Sequence, residues 1–239
     1  MAFSEYNGGD ARAIGRVGSE ERLAAFLRGV YGWMCGGLVV TATTAWLVAG
    51  SPGIVGAIAG NPILFWALFI AQLGIVFTLS ARVDRLAPGT AVMLFVGYAA
   101  LTGVTLSFLL LLYTGESVFS TFFVTAGAFG ALAVYGTVTR RSLGAMGQFM
   151  FMGLIGLVLA SLVGMFWHSN ALQFVITFVG VIVFAGLTAY DAQRLKGMAY
   201  NTGGTTAATI VGALALYLDF INLFLFLLRF TGNRRDDWR

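Results

Sequence analysis

The chain has 239 residues, of which 59% are hydrophobic and only 10% charged, with a mean hydropathy of +0.87 and a formal net charge of +4. A soluble domain carries about a quarter charged residues, so this composition cannot cover a water-facing surface and points to lipid as the solvent. No basic stripe interleaved with aromatics occurs, which argues against nucleic acid as a partner, and the single Cys35 excludes a disulfide framework within the chain.

Residues 1–28 are polar, with Arg12, Arg16, Arg22 and Arg28 among Glu5, Asp10, Glu20 and Glu21. They hold no apolar core followed by a cleavage site and read as a cytoplasmic tail rather than a signal peptide, with an amphipathic helix expected near their end. Seven uncharged or nearly uncharged runs follow, at roughly 29–49, 62–80, 88–113, 118–139, 142–167, 169–190 and 205–228. Each is long enough to cross a hydrocarbon core of about 30 Å. The runs lack period-two alternation, so they predict helices rather than barrel strands. The expected fold is all-α, a polytopic bundle spanning 29–229, with a short polar tail over 230–239. No large soluble domain fits in the connections.

Topology follows from the basic residues. The second, fourth and sixth connections hold Arg82, Arg85, Arg140, Arg141, Arg194 and Lys196, and the first, third and fifth hold no Lys or Arg. Short loops obey the positive-inside bias, so the N-terminus is expected in the cytoplasm. The odd number of spans then puts the C-terminus outside. The mixed tail Arg234, Arg235, Asp236, Asp237 and Arg239 fits this less well than the loops do.

Charge inside the spans is scarce. Asp219 is the one charged residue well inside a predicted run, and Asp191 sits at the cytoplasmic end of the sixth. A carboxylate at the centre of a span costs about 2.5–3.5 kcal/mol on insertion scales, and such residues mark pathways, proton relays or structural pairs. On the seventh helix Ala208, Gly212, Ala215, Asp219 and Asn222 share one small, polar face by three-and-four spacing; on the sixth, Thr177, Gly180, Thr188 and Asp191 do the same. The plain reading is that Asp219 bonds a neighbouring hydroxyl or amide. The sharper one is that the two aspartates meet. Two close carboxylates in low dielectric do not readily ionise together, so one proton is shared. Such a pair would also suit a hard cation such as Ca²⁺, though two ligands are too few for a tight site without backbone carbonyls or water. For the two to meet, the seventh helix must begin below the membrane or the sixth must extend past Lys196.

The stretches Leu187-Thr-Ala-Tyr-Asp-Ala-Gln193 and Gly212-Ala-Leu-Ala-Leu-Tyr-Leu-Asp-Phe-Ile-Asn-Leu-Phe-Leu-Phe-Leu-Leu-Arg229 resemble the last two helices of the transmembrane Bax inhibitor motif family. So do Ser80-Ala-Arg82, closing the second helix, and the Gly97 to Ser107 segment of the third. The resemblance covers the chain after about residue 22. It implies seven helices with the seventh surrounded by the other six, in a bacterial inner membrane. It also implies a pH-sensitive calcium leak whose sensor would be Asp191 and Asp219, with Tyr190 and Asn222 as supporting polar groups and Arg82 as a latch that pairs with the dyad in the closed state. Protonation would remove the charge that the guanidinium holds and let the second helix move from the seventh. Arg82 is equally explained as a positive-inside marker, with Arg85 one turn away as a competitor. Ca²⁺ is then cargo, and no cofactor is expected.

Two rival classes remain. Two aspartates on adjacent helices resemble presenilin-type intramembrane proteases, but Asp219 follows Ala-Leu-Tyr-Leu rather than Gly-x-Gly and no Pro-Ala-Leu motif occurs. A rhomboid-type protease needs a histidine within a helix, and His168, the sole histidine, falls in a predicted outer loop. No enzyme is therefore expected. The other rival is a regulator without transport that binds a membrane-embedded protease or another membrane partner. Gln72, Gln148 and Gln173 are expected to bond between helices, and Trp33, Trp46, Trp66 and Trp167 to sit at interfaces.

Overall fold

A computed structural model describes residues 6–81, 86–167 and 169–235, with the side chains of the first helix described from Glu20 onward. Eight helices follow one another: α1 (Tyr6–Ala49), α2 (Pro52–Ala59), α3 (Pro62–Ala81), α4 (Pro88–Leu112), α5 (Gly115–Val138), α6 (Gly144–Phe166), α7 (Asn170–Asn201) and α8 (Thr206–Thr231). All except α2 are long and apolar enough to cross a membrane, which makes this an all-α polytopic membrane protein of seven spans. Punctuation is local. Proline stands at the first position of α2, α3 and α4, where its missing N–H is no loss. Thr114, Ser169 and Thr205 cap α5, α7 and α8 by accepting from the backbone N–H three residues on.

Three elements depart from the reading of the sequence. Residues 6–28 are not a separate tail segment: the backbone is one 44-residue helix through Ala49. At 1.5 Å per residue it is about 66 Å long, far more than a bilayer core of about 30 Å. Arg22 and Arg28 interrupt the hydropathy without interrupting the helix, since arginine is a good helix former. The first connection holds the short helix α2, which the sequence reading left as a loop. And α7 runs to Asn201, eleven residues past the predicted end of the sixth span, because Arg194 and Lys196 stop the apolar run but not the helix.

α8 is the centre of the bundle. It packs chiefly against α1, α4, α5 and α7, while α3 lies mainly on α4 and α6 mainly on α7. The expectation of a seventh span ringed by all six others is thus met by four close neighbours and two flanking helices. Of the apolar window of α8, 61% is buried, against 6% for α3 and 11% for α6. Lipid is as apolar as leucine, so burial here is driven by packing rather than by water. Around α8 the packing is aromatic: Phe95 and Tyr98 of α4 meet Tyr217 edge-on at 5.8 and 5.9 Å between ring centres, and Phe129 of α5 meets Phe220 at 5.5 Å. The Tyr217 hydroxyl shares a 2.6 Å hydrogen bond with Thr41 of α1, whose hydroxyl also lies 2.8 Å from the Ala99 carbonyl. Trp33 of α1 packs edge-on against Phe95 at 6.4 Å. Gln72 behaves as expected, donating to Thr105 of α4 at 3.3 Å.

Beyond α8 the chain turns back on the bundle. The Thr114 N–H donates to the Asn233 carbonyl, the Arg235 N–H to the Leu112 carbonyl, and the Asn233 N–H to the Ser117 hydroxyl, at 3.1, 3.0 and 2.9 Å. The tail is strapped across the α4–α5 connection.

Candidate functional site: a carboxylate pair between α7 and α8

The turn from α7 to α8 takes four residues, Thr202 to Thr205, and reverses direction through Gly203 and Gly204 at φ +62° and +73°. Glycine suits this because a Cβ is disfavoured at positive φ. Asp191 lies ten residues before the end of α7 and Asp219 thirteen after the start of α8. Those are about 15 and 20 Å of helix, so the two stand nearly level. One of the two conditions that the sequence left open holds here: α7 extends past Lys196. The charges of Asp191 and Asp219 lie close enough to interact.

The two carboxylates differ in setting. Asp219 is 4% exposed, and its Oδ2 atom has no hydrogen-bond partner among the described residues. The plain reading, a carboxylate satisfied by a neighbouring hydroxyl or amide, leaves that oxygen unexplained. Asp191 is 18% exposed, and Arg194, one turn on, brings Nη1 to 4.0 Å from its Oδ1. Arg194 was placed among the loop cations by its sequence position. The extension of α7 makes it the basic neighbour of the pair, and an acid and a base at i and i+3 of a continuous helix are the signal that would have found it. Arg82 and Arg85 lie outside the described residues, as does His168.

The backbone around Asp191 is fixed from three sides. Gly136 of α5 sits directly on the Ala189 carbonyl, where a Cβ would overlap the backbone. Tyr190 lays its ring on Gly147 of α6, so its role is to seat α7 on α6. Gln193 reaches the fourth connection: its amide nitrogen donates to the Arg141 carbonyl at 2.9 Å, and its oxygen accepts from the Leu143 N–H at 2.8 Å. The sequence analysis missed Gln193, because a bond to a loop fifty residues away leaves no local pattern.

On the other side of the pair, toward the C-terminal end of α8, a cavity of about 1150 Å³ opens among α3, α4, α6, α7 and α8. Its inner end includes Asn222 and Phe184, one turn from Asp219 and two from Asp191. Asn222 donates to the Leu218 carbonyl of its own helix at 2.8 Å and is part of the cavity wall. Phe184 and Phe226 stack at 5.7 Å. No cluster of three or more His, Cys, Asp or Glu assembles among the described residues.

Seven spans with α8 at their centre, a buried carboxylate on α8 and a second carboxylate on the preceding span define a class of compact polytopic membrane protein. The family model described as inhibitor of apoptosis-promoting Bax1 matches residues 23–236, and the chain belongs to that family. It is 50% identical over 218 residues to the inner membrane protein YbhL of Escherichia coli, covering 89% of this chain and 93% of the relative. An uncharacterised protein of Borreliella burgdorferi is 43% identical, with 89% and 93% covered, and one of Caulobacter vibrioides is 40% identical, with 98% and 100% covered.

Proposed function

We propose that this protein is a pH-sensitive cation leak, with Ca²⁺ as cargo, in the inner membrane of a bacterium, with its N-terminus in the cytoplasm. The protonation state of Asp191 and Asp219 sets how open the path beside α8 is. The observation that carries this reading is the Asp219 Oδ2 atom, buried and without a hydrogen-bond partner among the described residues. Leaving a buried polar group unmade costs about 1–3 kcal/mol, a cost that a purely structural carboxylate would avoid and that a proton- or cation-handling one accepts. The cavity lining includes Asn222 and Phe184 and does not include Asp219. The carboxylates lie on two successive helices joined by a four-residue turn, so a modest shift of α8 against α7 changes access to them. In this scheme Arg82 is the latch that holds the ionised pair, and protonation releases it. The chain acts as no enzyme and needs no cofactor.

The test is Ca²⁺ entry into sealed liposomes carrying the purified protein, across a range of pH, beside Asp191→Asn and Asp219→Asn. A leak whose pH dependence is lost in both variants is the expected result. Flux no greater than that of empty liposomes at every pH would sink the transport reading and favour a regulator that binds a membrane partner such as a protease.

A further inference from the structure

The cavity beside α8 is built unlike an entrance for cations. The carboxylate Glu116, in the first turn of α5, does not line it. Its charged lining residues are Arg229, in the last turn of α8, and Arg234, in the tail. Among the described residues, no carboxylate is ion-paired with either cavity arginine. Arg234 is held in place: its guanidinium carbon lies 6.0 Å from the centre of the Tyr113 ring, and the backbone on either side of it is bonded to the α4–α5 connection. Two guanidinium groups thus stand at one end of the cavity.

Most of the remaining lining is apolar, with Ser161, Gln173, Thr177 and Asn222 as polar exceptions. Phe69 of α3 forms one side, and Val158 and Leu162 of α6 form the other. All three are about half exposed, and the flanking helices they belong to pack on different partners. The floor is Leu157, Ile176 and Phe184, all buried. At about 1150 Å³ the space exceeds the usual 300–1,000 Å³ of a small-molecule pocket. A fixed pair of arginines over a long, mostly apolar slot is complementary to an anionic headgroup with acyl chains. Arginine binds phosphate oxygens in bidentate fashion, and basic pockets between spans hold anionic headgroups.

We propose that this cavity is a binding site for one anionic phospholipid from the leaflet at the C-terminal end of α8, with its phosphodiester between Arg229 and Arg234 and an acyl chain between α3 and α6. The site does not depend on the transport reading and is tested without it. Full-length protein, delipidated in a neutral detergent, is titrated with phosphatidylglycerol and with phosphatidylcholine of the same chains, and bound lipid is counted by native mass spectrometry. Phosphatidylglycerol is expected to bind about thirtyfold more tightly than phosphatidylcholine, with Arg229→Gln and Arg234→Gln each losing about fivefold and Arg→Lys at both positions keeping most of the preference. Ser161→Trp, which fills the slot without touching either charge, is expected to weaken both lipids. Glycerol phosphate at a hundredfold excess should not displace the lipid. Equal binding of the two lipids, an unchanged affinity in the glutamine variants, displacement by glycerol phosphate, or a second protein copy seated there instead of lipid would each overturn the proposal. Should the glutamine variants not be recovered folded, Ser161→Trp alone decides: unchanged phosphatidylglycerol binding overturns the site.

Discussion

α3 and α8 have nearly the same mean hydropathy, 2.1 and 2.2, yet 6% of one window is buried and 61% of the other. Hydropathy identifies both as spans and does not distinguish them. What separates them is the texture of the sequence. α3 carries Trp66, Phe65, Phe69 and Phe77 on exposed faces, bulk that lipid accommodates without specific packing. α8 alternates Ala, Gly, Tyr, Asp and Asn among its leucines, residues that either let a neighbour approach or need a partner. In lipid the central helix is recognised by what it would cost to expose, and small and polar groups set that cost.

The largest break in this comparison should come from truncating α8. Leu216 is fully buried, and Leu216→Ala is expected to cost about 2–5 kcal/mol of stability through the cavity it leaves, read as a clear fall in Tm in detergent. Asp219→Asn runs the other way. Removing a buried charge with an unmatched oxygen should leave stability unchanged or raise it by about 1–2 kcal/mol; a marked fall in Tm would mean that the carboxylate is structural, against the proposed role. Gln193→Ala removes two hydrogen bonds to the fourth connection and is expected to cost about 1–2 kcal/mol, with faster backbone hydrogen exchange at Arg141–Leu143. The smallest effect belongs to α3: Leu73→Ala, on an exposed face, should change Tm by no more than about 0.5 kcal/mol in equivalent stability. A cost there as large as at Leu216 would show that α3 has a protein partner in place of lipid.

The spans, their helical character and the two carboxylates were legible in the sequence because each rests on a strong one-dimensional signal: twenty apolar residues in a row, or a charge interrupting them. Helix ends were harder to read. Arg194 and Lys196 end the hydropathy of α7 without ending its backbone, and Arg22 and Arg28 do the same to α1. The level at which Asp191 and Asp219 meet is a property of those helix ends, so it emerged only with the fold. Asn222 and Tyr190, which share the polar stretch, were assigned to the dyad by proximity in sequence. Three-dimensional direction sends Asn222 to the cavity wall and Tyr190 to α6. The tail residue Arg234 reaches the cavity because the chain after α8 is strapped across the α4–α5 connection, a contact with no local pattern in the sequence.

The four-residue turn between α7 and α8 makes the pair a matter of angular phase. A helix advances 100° per residue. One residue inserted between Thr206 and Asp219 would therefore swing that carboxylate roughly a quarter turn around the axis of α8, off the surface that faces α7, while leaving composition, hydropathy and span count untouched. The same insertion among Thr202–Thr205 would leave the phase of α8 to be restored by the flexibility of Gly203 and Gly204. The chain thus tolerates drift in the turn and forbids it in the thirteen residues that follow, and a gap placed on one side of Thr206 or the other would separate a working pair from a dismantled one.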